Sequence, residues 1–309
     1  MTRQMFDDSL NSTPTLESRN IFAVCDYDLA ATLNSGQAFR WTADGAGWMG
    51  VVGSNWVRLE PGPDSILAET AGPVDRWDWL THYLQLELDY PQMLAGFPKD
   101  EPMHAAISAC RGLRLLRQDP WECLASFILS STKQIVQIRQ IIANLCQRFG
   151  KPLAVPHGQP AVCTFPTPES LASATEAELR ECKMGFRAPY LRETARLIAE
   201  GNFNLAELHS LPLAEARARL LTLPGVGRKI ADCVMLFAYG FPAAFPVDVW
   251  VARALGELYF PRRRPTRQKL ELFIETHFGP HPGYAQQYLF HYMRTRNKKG
   301  NQGIAKGVD

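Results

Sequence analysis

The chain of 309 residues contains no run of about 18 apolar residues, so nothing in it is built to span a bilayer. Its longest apolar run near the C-terminal end, Cys233 to Phe241, has the length of a buried helix. The opening stretch, MTRQMFDDSLNSTPTLESRN, is polar and acidic, with neither an apolar signal core nor the Arg-rich character of a transit peptide. The seven Cys stand singly, with no Cys-x-x-Cys and no Cys/His pair at zinc spacing. Cys123, Cys146 and Cys233 fall among apolar helical neighbours, which suits buried, reduced thiols and an intracellular, disulfide-free protein. The seven His likewise show no metal spacing. Apolar residues make up 46% and charged residues 21%, with a mean hydropathy of −0.17, which excludes global disorder.

No single sign of charge dominates, since the net charge is only +2. That total hides an asymmetry. Residues 221–309 carry 13 Lys/Arg against 6 Asp/Glu, which leaves 20 basic and 25 acidic residues for 1–220. A basic C-terminal third suits a polyanion, although an ordinary solvated surface fits the count as well.

The pattern divides the chain into a short β-rich part and a long helical part, an α+β protein. Residues 1–20 read as a flexible tail. Ala38–Trp41, Trp48–Val52, Trp56–Leu59 and Ser65–Glu69 are β-prone runs separated by turn formers, the pattern of an antiparallel meander. After Asp75 the periodicity is helical. Asp119-Pro120-Trp121-Glu122 opens a helix, and the apolar series Ile135 to Phe149 repeats at helical spacing up to Gly150. Between them Ser130-Ser131-Thr132 marks a break. Thr175 with Glu178 opens another helix. Further helices are expected over 190–200, 213–221, 228–239, 249–260, 266–278 and 284–295. Residues 151–168 carry five prolines and read as a loop. The domains expected are a tail to 20, a sheet domain with flanking helices over 21–115, a helical domain over 116–296 and a basic flexible tail from 297 to 309.

The segment that carries chemistry is Leu221-Thr222-Leu223-Pro224-Gly225-Val226-Gly227-Arg228-Lys229. One helix stops at Pro224, two glycines make a tight turn, and a second helix starts at once. Unshielded amides at a helix N-terminus grip an anion, which lets a chain hold a phosphate without reading sequence. A bare Gly-x-Gly would fit any helical hairpin equally well.

This string resembles the helix-hairpin-helix of the DNA glycosylase superfamily, whose second half appears here as Phe245-Pro246-Val247-Asp248. Within it the chain is most similar to the 8-oxoguanine DNA glycosylase/AP lyase family. Asn34-Ser35-Gly36-Gln37-Ala38-Phe39-Arg40-Trp41 looks like that family's N-terminal signature. Met184-Gly185-Phe186-Arg187-Ala188-Pro189-Tyr190 and Gly283-Tyr284-Ala285-Gln286-Gln287-Tyr288-Leu289-Phe290 look like two more of its segments. The resemblance runs in order from about residue 20 to 296. It implies an N-terminal sheet and a helical catalytic core, excision of 8-oxoguanine from duplex DNA, and cutting of the abasic strand by β-elimination. A monomer and an intracellular site, nucleoid or nucleus, go with it.

The resemblance also assigns roles. Lys229 would attack the sugar carbon and form a Schiff base; an amine does so only when neutral, a state that burial or a nearby cation such as Arg228 favours. A phosphate-binding Lys is the plainer alternative. Asp248 would steady the cation-like sugar and cap the next helix. The everted base needs a pocket. Gly36 would accept the N7 hydrogen that 8-oxoguanine has and guanine lacks, Gln286 would bond the Watson–Crick edge, and Phe290 and Cys233 would pack on the ring; for the last two a core role fits equally. Gly225, Gly227, Arg228, Thr132, Lys133, Phe186 and Arg187 would touch DNA. No cofactor is expected: no Cys follows Cys233, which leaves nothing for the iron–sulfur cluster of endonuclease III-type relatives. A cation held by the carbonyls of Leu221, Leu223 and Val226 is the exception allowed for. Two positions depart from the family. Thr132 stands where Asn fills the gap left by the base, and Gln137 where an Arg contacts the orphaned cytosine. The alternatives are a monofunctional glycosylase for alkylated bases and a non-catalytic hairpin DNA-binding protein.

Overall fold

The computed structural model describes residues 18–131, 133–263 and 265–304. Its single sheet is antiparallel, built from β1 (Ser18–Ala23), β2 (Thr42–Asp44), β3 (Gly47–Val52), β4 (Asn55–Pro61) and β5 (Ser65–Thr70) in the order β1-β5-β4-β3-β2. The expected meander is β2 to β5. β1 lies partly within the segment expected as a tail, and it closes the far edge by pairing Ser18 with Thr70 and Ala23 with Ser65. Its residues alternate only between half-buried and exposed, so no apolar face announces the strand. The rest of the expected tail, residues 1–17, lies outside the described residues.

The run Ala38–Trp41 is not a strand. In a strand, residues 39 and 41 would share one face. Here Phe39 enters the helical core, edge-to-face on Phe127 at 5.6 Å, while Trp41 enters the core beneath the sheet and donates to the Tyr83 hydroxyl at 2.8 Å. Serving two cores requires irregular backbone.

Helices α1 (Leu29–Asn34) and α2 (Asp78–Leu84) pack in the core beneath the sheet, whereas α3 (Tyr90–Ala95) and α4 (Glu101–Ala109) join the helical core. Then come α5 (Pro120–Leu129), α6 (Ile135–Phe149), α7 (Pro168–Ser173), α8 (Glu176–Glu181) and α9 (Ala188–Ala199). The set closes with α10 (Leu213–Leu220), α11 (Arg228–Val234), α12 (Val249–Leu258), α13 (Arg267–His277) and α14 (Pro282–Ile304). Asp119 caps α5 by accepting from the Glu122 amide at 2.8 Å, but the Glu122 carboxylate turns to Arg40 at 3.2 Å and ties the two parts of the chain together. Thr175 and Glu178 form the reciprocal cap expected at α8. The expected helix 228–239 changes pitch midway: α11 gives way to a π-helical turn over Met235–Tyr239, and Gly240 ends it at φ +75°. α14 continues to Ile304, through residues expected as a tail, since no proline interrupts it. Among the described residues no helix is long and apolar enough to cross a membrane.

Candidate active site

The hairpin is α10, a turn and α11. Leu220, Leu223, Val226 and Ile230 are buried and hold it to the core. The Arg217–Asp232 pair, at 2.6 Å, ties its two helices together, and Thr194 donates to the Pro224 carbonyl at 3.2 Å. The two glycines do different work. Gly225 has φ +74°, and a Cβ there would lie 2.9 Å from Tyr190 Cβ. Gly227 is extended, and a Cβ there would meet nothing within 4 Å. Its side of the turn is open, and the first amides of α11 have no partner within their own helix. Of the three carbonyls considered for a cation, that of Leu223 accepts the Val226 amide at 3.2 Å.

In the first turn of α11, Lys229 Nζ donates to Ser130 Oγ at 3.1 Å and lies 5.1 Å from the centroid of the Phe127 ring. Ser130 sits at the break after α5, and its hydroxyl donates to the Phe127 carbonyl at 2.7 Å. With its one proton used there, Ser130 can only accept from Lys229. The contact orients the amine. Asp248 caps α12, accepting the Val251 amide at 2.8 Å. Burial raises its carboxyl above the usual range, against the opposing pull of that amide and of Lys229.

Lys229, Asp248, Gly36, Cys233, Gln286 and Phe290 line one cavity, together with Phe127, Phe237, Pro246 and Gln287. Six residues expected to act together from distant parts of the sequence thus converge. Gly36 has φ +82°. Its neighbours' carbonyls are engaged: Asn34 by Arg294 at 3.3 Å, Ser35 by Gln287 at 3.2 Å and Gln37 by Gln118 at 2.7 Å. Among the described residues no hydrogen bond reaches the Gly36 carbonyl. Gln286 is 3% exposed, and its Oε1 has no partner among the described residues. A buried, unpaired amide oxygen is costly unless a ligand satisfies it. Burial pushes the Cys233 thiol up to about 12, which makes it a packing surface rather than a nucleophile. The cavity measures about 40 Å³.

Known proteins resemble this chain over most of its length. Residues 21–124 match the N-terminal domain of 8-oxoguanine DNA glycosylase, and residues 125–280 match the HhH-GPD superfamily of base excision DNA repair proteins. The N-glycosylase/DNA lyase OGG1 of Arabidopsis thaliana is 31% identical over 283 residues, covering 86% of this chain and 77% of that one. A probable N-glycosylase/DNA lyase of Methanothermobacter thermautotrophicus is 33% identical over 218 residues, 64% of this chain and 69% of its own length. The 8-oxoguanine glycosylase/lyase of Clostridium acetobutylicum, solved with duplex DNA carrying cytosine opposite 8-oxoguanine, superposes with a TM-score of 0.83 at 31% identity, over 90% of this chain and 98% of that one. The chain belongs to the 8-oxoguanine DNA glycosylase/AP lyase family.

The family's DNA-contacting positions are placed less uniformly. Phe186 is 56% exposed on a short 3-10 turn. Arg187 is buried instead, its guanidinium 4.2 Å from the centroid of the Phe186 ring. Arg228 pairs with Glu271 at 2.8 Å, so part of its charge is spent within the protein rather than on Lys229. Lys133 is half-buried, with its amide on the Ser130 carbonyl at 3.3 Å. Thr132 lies outside the described residues. Gln137, at the position of the cytosine-reading Arg, accepts the Gln134 amide at 3.1 Å and closes a cap on α6.

Several contributors had no role in the sequence reading: Ser130 and Phe127 beside Lys229, Gln287 behind Ser35, and Gln37. Gln37 donates to the carbonyls of Thr32 at 2.9 Å and Arg114 at 2.8 Å and accepts the Leu116 amide at 2.7 Å. An uncharged amide inside a signature motif was the available signal for it.

Proposed function

We propose that this chain everts and excises 8-oxoguanine from duplex DNA, with Lys229 as nucleophile, and then cuts the abasic strand. The neutral Lys229 amine attacks the anomeric carbon. The glycosidic bond breaks, and its electrons leave with the base, which takes up a proton. Asp248 offers negative charge to the sugar as positive charge develops. Loss of the amine's protons and opening of the ring leave an imine. Removal of a 2′ proton then expels the 3′ phosphate. Gly36 supports lesion choice: its free carbonyl rewards an N7–H and repels the N7 lone pair of guanine. Gln286 supports the base's opposite edge. The observation that carries this reading is that an amine, a carboxylate, a free carbonyl and an unpaired amide face one cavity.

The test is borohydride reduction during turnover on duplexes carrying 8-oxoguanine. Native protein should become covalently joined to DNA, and Lys229→Gln should not. Trapping by the variant at the native level would mean that another group forms the bond. Release of alkylated bases alone would refute the substrate.

A further inference from the structure

Arg139 on α6 and Arg294 on α14 meet at Asn34. Arg139 Nη2 donates to Asn34 Oδ1 at 3.0 Å, and Arg294 Nη2 to the Asn34 carbonyl at 3.3 Å. Arg294 Nη1 lies 3.0 Å from where a Cβ on Gly36 would stand, and its guanidinium carbon lies 5.4 Å from the Phe290 ring centroid. Among the described residues neither guanidinium has a carboxylate partner. Arg139 Nε and Arg294 Nη1 are buried with no hydrogen-bond partner there. Burial first, and then the charge of Arg139, hold Arg294 below the usual guanidinium value, and burial does the same to Arg139.

Two like charges, each with an unused donor, are an expensive way to hold a loop. Neutral amides suffice for it next door, where Gln287 holds Ser35 and Gln118 holds Gln37. The pair has a use for its charge only when an anion arrives, and guanidinium donors suit phosphate oxygens. Arg294 stands against Gly36, which lines the same cavity as Lys229 and Asp248.

We propose that Arg139 and Arg294 together receive a backbone phosphate flanking the everted nucleotide, next to the wall that carries Gly36. This rests on the reading that a lesion nucleotide fills the cavity. The phosphate would complete the hydrogen bonding of both guanidiniums and relieve their repulsion. It would also firm up Asn34, and with it the segment that presents the Gly36 carbonyl.

The test uses a duplex with a tetrahydrofuran abasic analogue, which has no base to read. Arg139→Gln and Arg294→Gln should each weaken binding on the order of tenfold at low salt and flatten the plot of log Kd against log salt by about one. Arg→Lys at either place should keep the slope. For native protein, a neutral methylphosphonate at one linkage flanking the analogue should reproduce the loss, and the two losses should not add in Arg294→Gln. Native affinity and slope in both Gln variants, with only the choice of 8-oxoguanine over guanine altered, would make the pair a loop clamp and overturn the proposal. Full additivity would overturn it too. Should a Gln variant fail to fold, the linkage scan on native protein paired with the Lys variants decides. Tight binding to the analogue without excision of 8-oxoguanine would refute the proposed function and leave this inference standing.

Discussion

Two faces of the cavity are held in different ways. On the lesion side the fold commits almost every group: three of four successive carbonyls in 34–37 are taken, Gln37 bridges to 114–116, and Phe39 and Trp41 anchor the segment in separate cores. On the duplex side the protein holds little. Val136 is 75% exposed, Val249 79% and Phe186 56%. The segment 34–41 is fixed by the fold, whereas these three apolar side chains stand open to solvent. Of the two departures from the family pattern, Gln137 is exposed, so no packing is lost by it.

The largest effect should follow from emptying the committed side of its charge. Burial lifts the Asp248 carboxyl above the ordinary range. A carboxyl whose pKa rises on folding binds more protons folded than unfolded. Its ionisation therefore costs stability, beginning as pH rises past the unfolded value of about 3.9 and complete above the folded one. Asn can cap α12 without that cost. Asp248→Asn should thus melt no lower than native protein at pH 7, with the difference closing towards pH 4, while excision falls by about a hundredfold or more. The native rate should climb with pH through the raised value. A clear drop in melting temperature at pH 7 would mean that the carboxylate is there for stability.

Gly36→Ala strikes the same side more gently. At φ +82° a side chain costs about 1–2 kcal/mol, and the new Cβ would lie 2.8 Å from Ile135 Cδ1 and 3.0 Å from Arg294 Nη1. Both are ends of flexible side chains, so the protein should fold with a loss of about that size. The displaced carbonyl should then narrow the preference for 8-oxoguanine over guanine by about tenfold, measured by single-turnover excision. Unchanged preference would remove the Gly36 carbonyl from lesion reading.

What was legible in the sequence follows the same division. Turns and caps that depend on local chemistry were readable: Asp119, Thr175 with Glu178, Gly225 and Gly240 stand where their residue types demand. The convergence of Lys229, Asp248, Gly36 and Gln286 was readable only through the family resemblance that their motifs carry. β1 was not, since its partner lies some 45 residues away in the chain and its faces are both half-polar. Nor was the split of Phe39 and Trp41 between two cores, which no period of 2 or 3.6 describes. Ser130 under Lys229 and the Arg139–Arg294 pair depend on which helix ends meet, a matter of packing between elements far apart in sequence.

The smallest change tests the open side. Gln137 serves its own helix, accepting the Gln134 amide, and presents nothing charged towards an orphaned base. Native protein should therefore choose poorly among the four bases opposite 8-oxoguanine. Gln137→Arg forfeits one exposed cap contact, a loss of about 0.5–1 kcal/mol. In return it supplies a bidentate donor of the kind that discriminates between bases by about 1–3 kcal/mol. Because no core residue touches the position, the variant should fold as native and excise as fast opposite cytosine, yet about tenfold more slowly opposite adenine. Equal rates opposite all four bases in the variant would show that a single guanidinium at this place is not enough. Opposite-base choice would then need the neighbouring break as well, and the duplex face would be a cooperative surface rather than a set of separate contacts.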